Sequence, residues 1–169
     1  PIWRDFPQFW DYGAQWEQHT CSDGFVFKDK ENCLAIYSEK HDPTWERTAN
    51  EIARFSQKDA ETWRKLHKIS ESDEYMRVLI DSLFLPAEDR LTGSVEERRM
   101  MMFPGLMDAG LVPDSLSMKA NGLRAAQEWF ESPELQSCIL RFAVSSVIDV
   151  NEPGYGMYTM GMALTLPTI

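Results

Sequence analysis

Between Asp42 and Trp63 the chain spells two helices that meet end to end, and no other stretch constrains its fold as strongly. Asp42 carries an N-cap side chain. Pro43 suits the first helical position, where a missing N–H costs nothing and the fixed φ already fits a helix. Trp45, Thr48 with Ala49, Ile52 and Phe55 then recur at three- and four-residue intervals, which places them on one buried face. Ser56 restarts the count. With Asp59 three residues on, it forms a capping box with a shorter acid, and a second helix follows through Ala60, Trp63 and Leu66. The spacing predicts a helical corner and carries no chemistry of its own.

Elsewhere the periodicity changes character. Thr20, Phe25 and Phe27, then Leu34 and Ile36, alternate with other residues between Ala14 and Tyr37. Ser22-Asp23-Gly24 and Asp29-Lys30-Glu31-Asn32 read as turns, which predicts a small antiparallel β-meander. Because two or three strands are marginal alone, they must add to others or lie on the helices. Past Ser56 the pattern is helical to about Leu83, broken near Ser70 to Asp73. Ser94 opens a further helix into Met100 to Phe103 that Pro104 and Gly105 bend or stop. Asn121 caps Leu123 to Phe130. Ser132-Pro133-Glu134 starts a helix with Leu135, Cys138, Ile139, Phe142 and Ala143 on one face, and a last segment runs from Pro153 through Tyr155, Tyr158 and Met162. The fold class expected is therefore α+β, mainly helical, in one domain over residues 1–169. The aromatic segment of Trp3, Phe6, Phe9, Trp10 and Tyr12 is either a local aromatic core or packs on a part of the protein beyond this chain.

At 169 residues the chain can bury a real core. Its net charge of -10 argues against a phosphate-binding surface, since nucleic-acid affinity rests on Lys and Arg. Cys21, Cys33 and Cys138 are an odd count without a C-x-x-C pair, so they read as reduced, mostly buried thiols of a cytoplasmic protein rather than disulfides or zinc ligands. His19, His41 and His67 are scattered, and no metal site follows. No signal peptide is legible. The longest apolar run, Met100 to Met107, is broken by Pro104 and Gly105 and is far short of the roughly 20 residues of a membrane span.

Gly154-Tyr155-Gly156-Met157-Tyr158-Thr159-Met160-Gly161 suggests a nucleotide loop, but its third glycine comes late and no acid follows about 20 residues on, as a dinucleotide fingerprint requires. Met100, Met101, Met102, Phe103 and Met107 suit either a helix core or an adaptable apolar binding surface. Tyr155 and Tyr158, at i and i+3 of the last helix, share a face. Two phenols there either pack, with hydroxyls on the backbone, or handle a proton or polarise a carbonyl.

The wording of two segments adds a resemblance. Arg47-Thr48, Glu51-Ile52-Ala53-Arg54-Phe55-Ser56 and Asp59-Ala60-Glu61, followed downstream by Glu128-Trp129-Phe130-Glu131-Ser132-Pro133-Glu134-Leu135 and Glu152-Pro153-Gly154, resemble the substrate domain of phytoene desaturase-like, FAD-dependent oxidoreductases. The resemblance implies a cap over the flavin, with FAD held by the remaining part of the same protein. It implies Tyr155 and Tyr158 as catalytic groups, and Met102, Phe103, Met107, Phe142 and Met162 as the binding wall for an apolar small molecule. Tyr155 stands where that family has a small residue, which implies a compact substrate rather than a long polyene. The ending on an apolar run, Met162 to Pro167, fits a portion of a larger flavoprotein. The rival expectation is a non-catalytic, acidic helical interaction domain without flavin.

Overall fold

In a computed structural model the described residues are 5–15, 17, 19–28, 32–71, 119–145 and 149–168, the side chains of 157, 158, 162 and 168 excepted. Two strands, β1 (Cys21–Val26) and β2 (Cys33–Tyr37), pair antiparallel with Phe25 opposite Leu34 and Gly24 opposite Ala35. Leu34 and Ile36 alternate into the core, as the period-2 pattern requires. Ser22-Asp23-Gly24 is not a turn. It lies inside β1, where the register slips between Cys21 and Asp23 and the Ser22 hydroxyl donates to the Ile36 carbonyl at 3.1 Å. Small polar residues serve a bulge as readily as a turn, and the flanking strand residues decide which forms.

The first helix, α1, spans Glu46–Ala53 and buries Thr48, Ala49 and Ile52. Its entry differs from the expected cap. Trp45, not Asp42, occupies the N-cap position with φ 56, the left-handed region that bulky residues seldom adopt, and Pro43 stands outside the helix. Asp42 still supplies the capping acceptor: its Oδ1 accepts from the Arg47 amide at 3.1 Å and its Oδ2 from the Thr48 amide at 2.8 Å. Burial of the Trp45 indole against Trp63, with ring centroids 5.3 Å apart, accompanies this backbone conformation.

The Phe55–Ser56 junction forms as the sequence requires. Ser56 is the N-cap of α2 (Gln57–Ser70), and its hydroxyl accepts from the Asp59 amide at 3.0 Å. The reciprocal half of the capping box does not form. The Ser56 amide is taken by the Ile52 carbonyl, and the fully buried Asp59 carboxylate turns to another part of the chain. Trp63, Leu66 and Ile69 line the buried face of α2. Arg64 bridges back to Glu46 at 2.8 Å, holding the Glu46 carboxyl below its usual range.

Three further helices complete the described core: α3 (Gly122–Trp129), α4 (Pro133–Ser145) and α5 (Gly156–Thr165), the last running into a 3-10 turn at Leu166–Thr168. Apolar α5 packs on α3 and α4 and touches α2, while the 3-10 turn lies against both strands. The Glu39 amide ties the sheet to this end through the Pro167 carbonyl at 2.8 Å. The result is an α+β, mainly helical architecture with one small antiparallel sheet. No helix among the described residues is long and apolar enough to cross a membrane.

Among the described residues the N-terminal aromatic segment forms no buried core. Its residues 6–13 form hydrogen-bonded turns, yet Phe6, Trp10 and Tyr12 are 66, 50 and 86% exposed. Expected burial of the thiols holds for Cys138 alone, because Cys21 and Cys33 lie at the exposed ends of the two strands. The helical readings for residues 72–118 lie outside the described residues.

Candidate functional site

Tyr155 is placed by a turn whose hydrogen bonds run across the chain. The Asp149 carboxylate accepts from the Asn151 amide at 2.9 Å, closing the turn that leads to Gly154, whose φ of 96 favours glycine. The Ala120 carbonyl then accepts from both the Gly154 amide at 3.2 Å and the Gly156 amide at 2.9 Å, so the entrances of α3 and α5 are pinned together. Tyr155 sits between these two anchors with φ -92 and ψ 2, and its ring is exposed. It therefore stands at the N-cap, just ahead of α5 and not inside it. Its carbonyl accepts from the Thr159 amide and from the Thr159 hydroxyl, both at 3.0 Å.

The glycine run does not fit a dinucleotide. Residues 149–154 enter it as a turn, not as a strand, and Gly156 is buried where an added Cβ would stand 2.9 Å from the Ala120 carbonyl oxygen. Its missing side chain makes room for the protein's own backbone, where a fingerprint glycine would admit a pyrophosphate. FAD thus finds no cradle in this run.

Of the expected binding wall, Phe142 is buried on α4, in edge contact with Phe25 at 6.4 Å between centroids. Met102, Phe103 and Met107 lie outside the described residues, as do the side chains of Tyr158 and Met162. Beside Phe142 the Arg141 guanidinium stands 5.5 Å from the Phe25 ring centre and 5.6 Å from that of Phe142, and donates to Asp23 Oδ1 at 3.2 Å. Burial raises the Asp23 carboxyl above its ordinary value, with Arg141 pulling it back. On the same helix, burial pushes the Cys138 thiol up to about 12, so it stays protonated and inert at neutral pH. His41 is exposed and its Nδ1 lies 3.0 Å from the buried Ser38 hydroxyl, which donates to the His19 carbonyl at 2.6 Å. Among the described residues no group of three His, Cys, Asp or Glu could hold a metal ion.

Sequence reasoning missed the contact that organises the two segments carrying the resemblance. Asp59 accepts from the Glu131 amide at 2.8 Å, the Ser132 amide at 2.9 Å and the Ser132 hydroxyl at 2.5 Å, and the Ser56 hydroxyl donates to Glu131 Oε1 at 2.7 Å. The Trp63 and Trp129 indole N–H groups are also buried, without a partner among the described residues. Such a donor costs about 1–3 kcal/mol.

No protein-family model, no curated protein and no solved structure matches the chain. The class defined by the fold is an α+β, mainly helical one.

Proposed function

We propose that the chain is the substrate-binding portion of a larger, cytoplasmic FAD-dependent oxidoreductase of the phytoene desaturase-like kind, which dehydrogenates a largely apolar, compact small molecule. The observation that carries this reading is the clasp between the two resembling segments. Residues 56 and 59 meet residues 131 and 132 through four hydrogen bonds, so stretches far apart in sequence form one physical unit. FAD, the hydride acceptor, belongs to the remaining part of the same protein. What this chain contributes is placement. The double anchor on Ala120 fixes where Tyr155 projects, and an exposed phenol there can hold a hydrogen bond to a polar atom of the substrate or take its proton. Phe142 and, on the sequence alone, Met102, Phe103 and Met107 are the residues proposed for its apolar wall.

An absorption spectrum of the intact protein tests the reading. Flavin bands are expected, and a protein that stays colourless after reconstitution with excess FAD overturns it. In the coloured protein, Tyr155→Phe is expected to slow reduction by substrate about 100-fold with melting unchanged. An unaltered rate removes Tyr155 from the site.

A second reading, a non-catalytic acidic interaction domain, is favoured by the exposed rings of Phe6, Trp10 and Tyr12. The same spectrum decides between the two.

A further inference from the structure

We propose that Asn121-Gly122 is a covalent modification site, at which spontaneous deamidation unlatches α5 from α3. The chemistry needs only water. The Gly122 amide nitrogen loses its proton and attacks Asn121 Cγ, Nδ2 leaves as ammonia, and the resulting succinimide is opened by water at either carbonyl to give aspartate or isoaspartate. Glycine at the second position favours the attack because no Cβ obstructs the nitrogen. As the first residue of α3, Gly122 also has an amide without an intrahelical acceptor.

The fold holds this reaction back and then makes it consequential. Both ends of the carboxamide are engaged: Asn121 Oδ1 accepts from the Arg124 amide at 2.8 Å, and Nδ2 donates to the Asn151 carbonyl at 3.2 Å. Ring closure must break both bonds. Aspartate keeps the cap on Arg124 but presents an acceptor to the Asn151 carbonyl, where a donor stood. Isoaspartate adds a methylene to the main chain beside Gly122, whose surroundings are tightly packed. A Cβ on Gly122 would already collide with the Thr159 hydroxyl and lie 3.5 Å from Val150 Cα. One residue upstream, the Ala120 carbonyl holds the amides of Gly154 and Gly156, so a shift at Asn121 is passed to the start of α5. The modification therefore acts on the turn that places Tyr155, whatever the protein's activity.

The test is ageing of the 169-residue chain at mildly alkaline pH, folded and in urea, with Asn121→Ser as the control that keeps a capping oxygen but has no carboxamide. Trypsin releases Ala120 to Arg124, and mass spectrometry follows its conversion. Conversion is expected about tenfold or more slowly in the folded chain, since local opening must come first. Equal rates in both states, or no conversion in urea, overturn the proposal. Chains carrying isoaspartate are expected to lose hydrogen-exchange protection over residues 156–165, while aged Asn121→Ser retains it. Protection that survives isoaspartate formation overturns the coupling to α5.

Discussion

Asp42 and Asp59 are both buried carboxylates that satisfy helix-terminal amides, and they do so over very different distances. Asp42 serves Arg47 and Thr48, five and six residues ahead, at the start of α1. Asp59 sits inside α2 and serves Glu131 and Ser132, 72 and 73 residues ahead, at the start of α4. The first carboxylate shapes one turn of chain. The second joins the helical corner to the bundle, so its loss is felt by the whole core. The chemistry is the same in both, and the length of chain enclosed sets what each does.

The largest effect should follow Asp59→Ala. Three donors lose a charged acceptor in a site closed to water, and a loss of about 4 kcal/mol in denaturant unfolding is expected. A loss below about 1 kcal/mol would mean that water replaces the carboxylate and that the clasp does not join the halves. Asp42→Ala should cost less, about 1–2 kcal/mol, because it frees two amides of one local turn where Asp59→Ala frees three donors that join distant segments. If its cost equals that of Asp59→Ala, chain separation is not what distinguishes the two. Smaller again is the Ser56–Glu131 bond. A double-mutant cycle with Ser56→Ala and Glu131→Ala should return a coupling of about 0.5–1 kcal/mol, and additivity would confine the clasp to Asp59.

The smallest effect concerns pH at a third carboxylate. The Asp23 pKa is raised in the folded chain, so the folded state binds its proton more tightly than the unfolded chain does. Its contribution must therefore fall as pH rises from the ordinary aspartate value through the raised one. Asp23→Asn should flatten that slope of stability against pH. A slope unchanged by the substitution would assign it to other carboxylates.

Much of this was legible in the residues. Ser56 announced a helix start, Asn121 another, and the spacing of Ala60, Trp63 and Leu66 their buried face, because capping and periodicity are local. The entry to α1 was misplaced. Asp-Pro reads as a cap at the first position, yet the left-handed Trp45 and its burial against Trp63 move the start to Glu46. Tyr155 was read into the last helix for a similar reason. The anchor that ends the turn, the Ala120 carbonyl, lies over 30 residues upstream and leaves no mark near it.

By itself, then, the sequence determined where most of the described helices lie, the mainly helical class, and which residue types stand ready to cap. These depend on neighbours within a turn or two of chain. Only the tertiary structure decided whose amides a given carboxylate satisfies, which glycine makes way for another backbone, and which aromatic rings stay in water. Each of those choices is made by a partner distant in sequence, and local spacing carries no record of it.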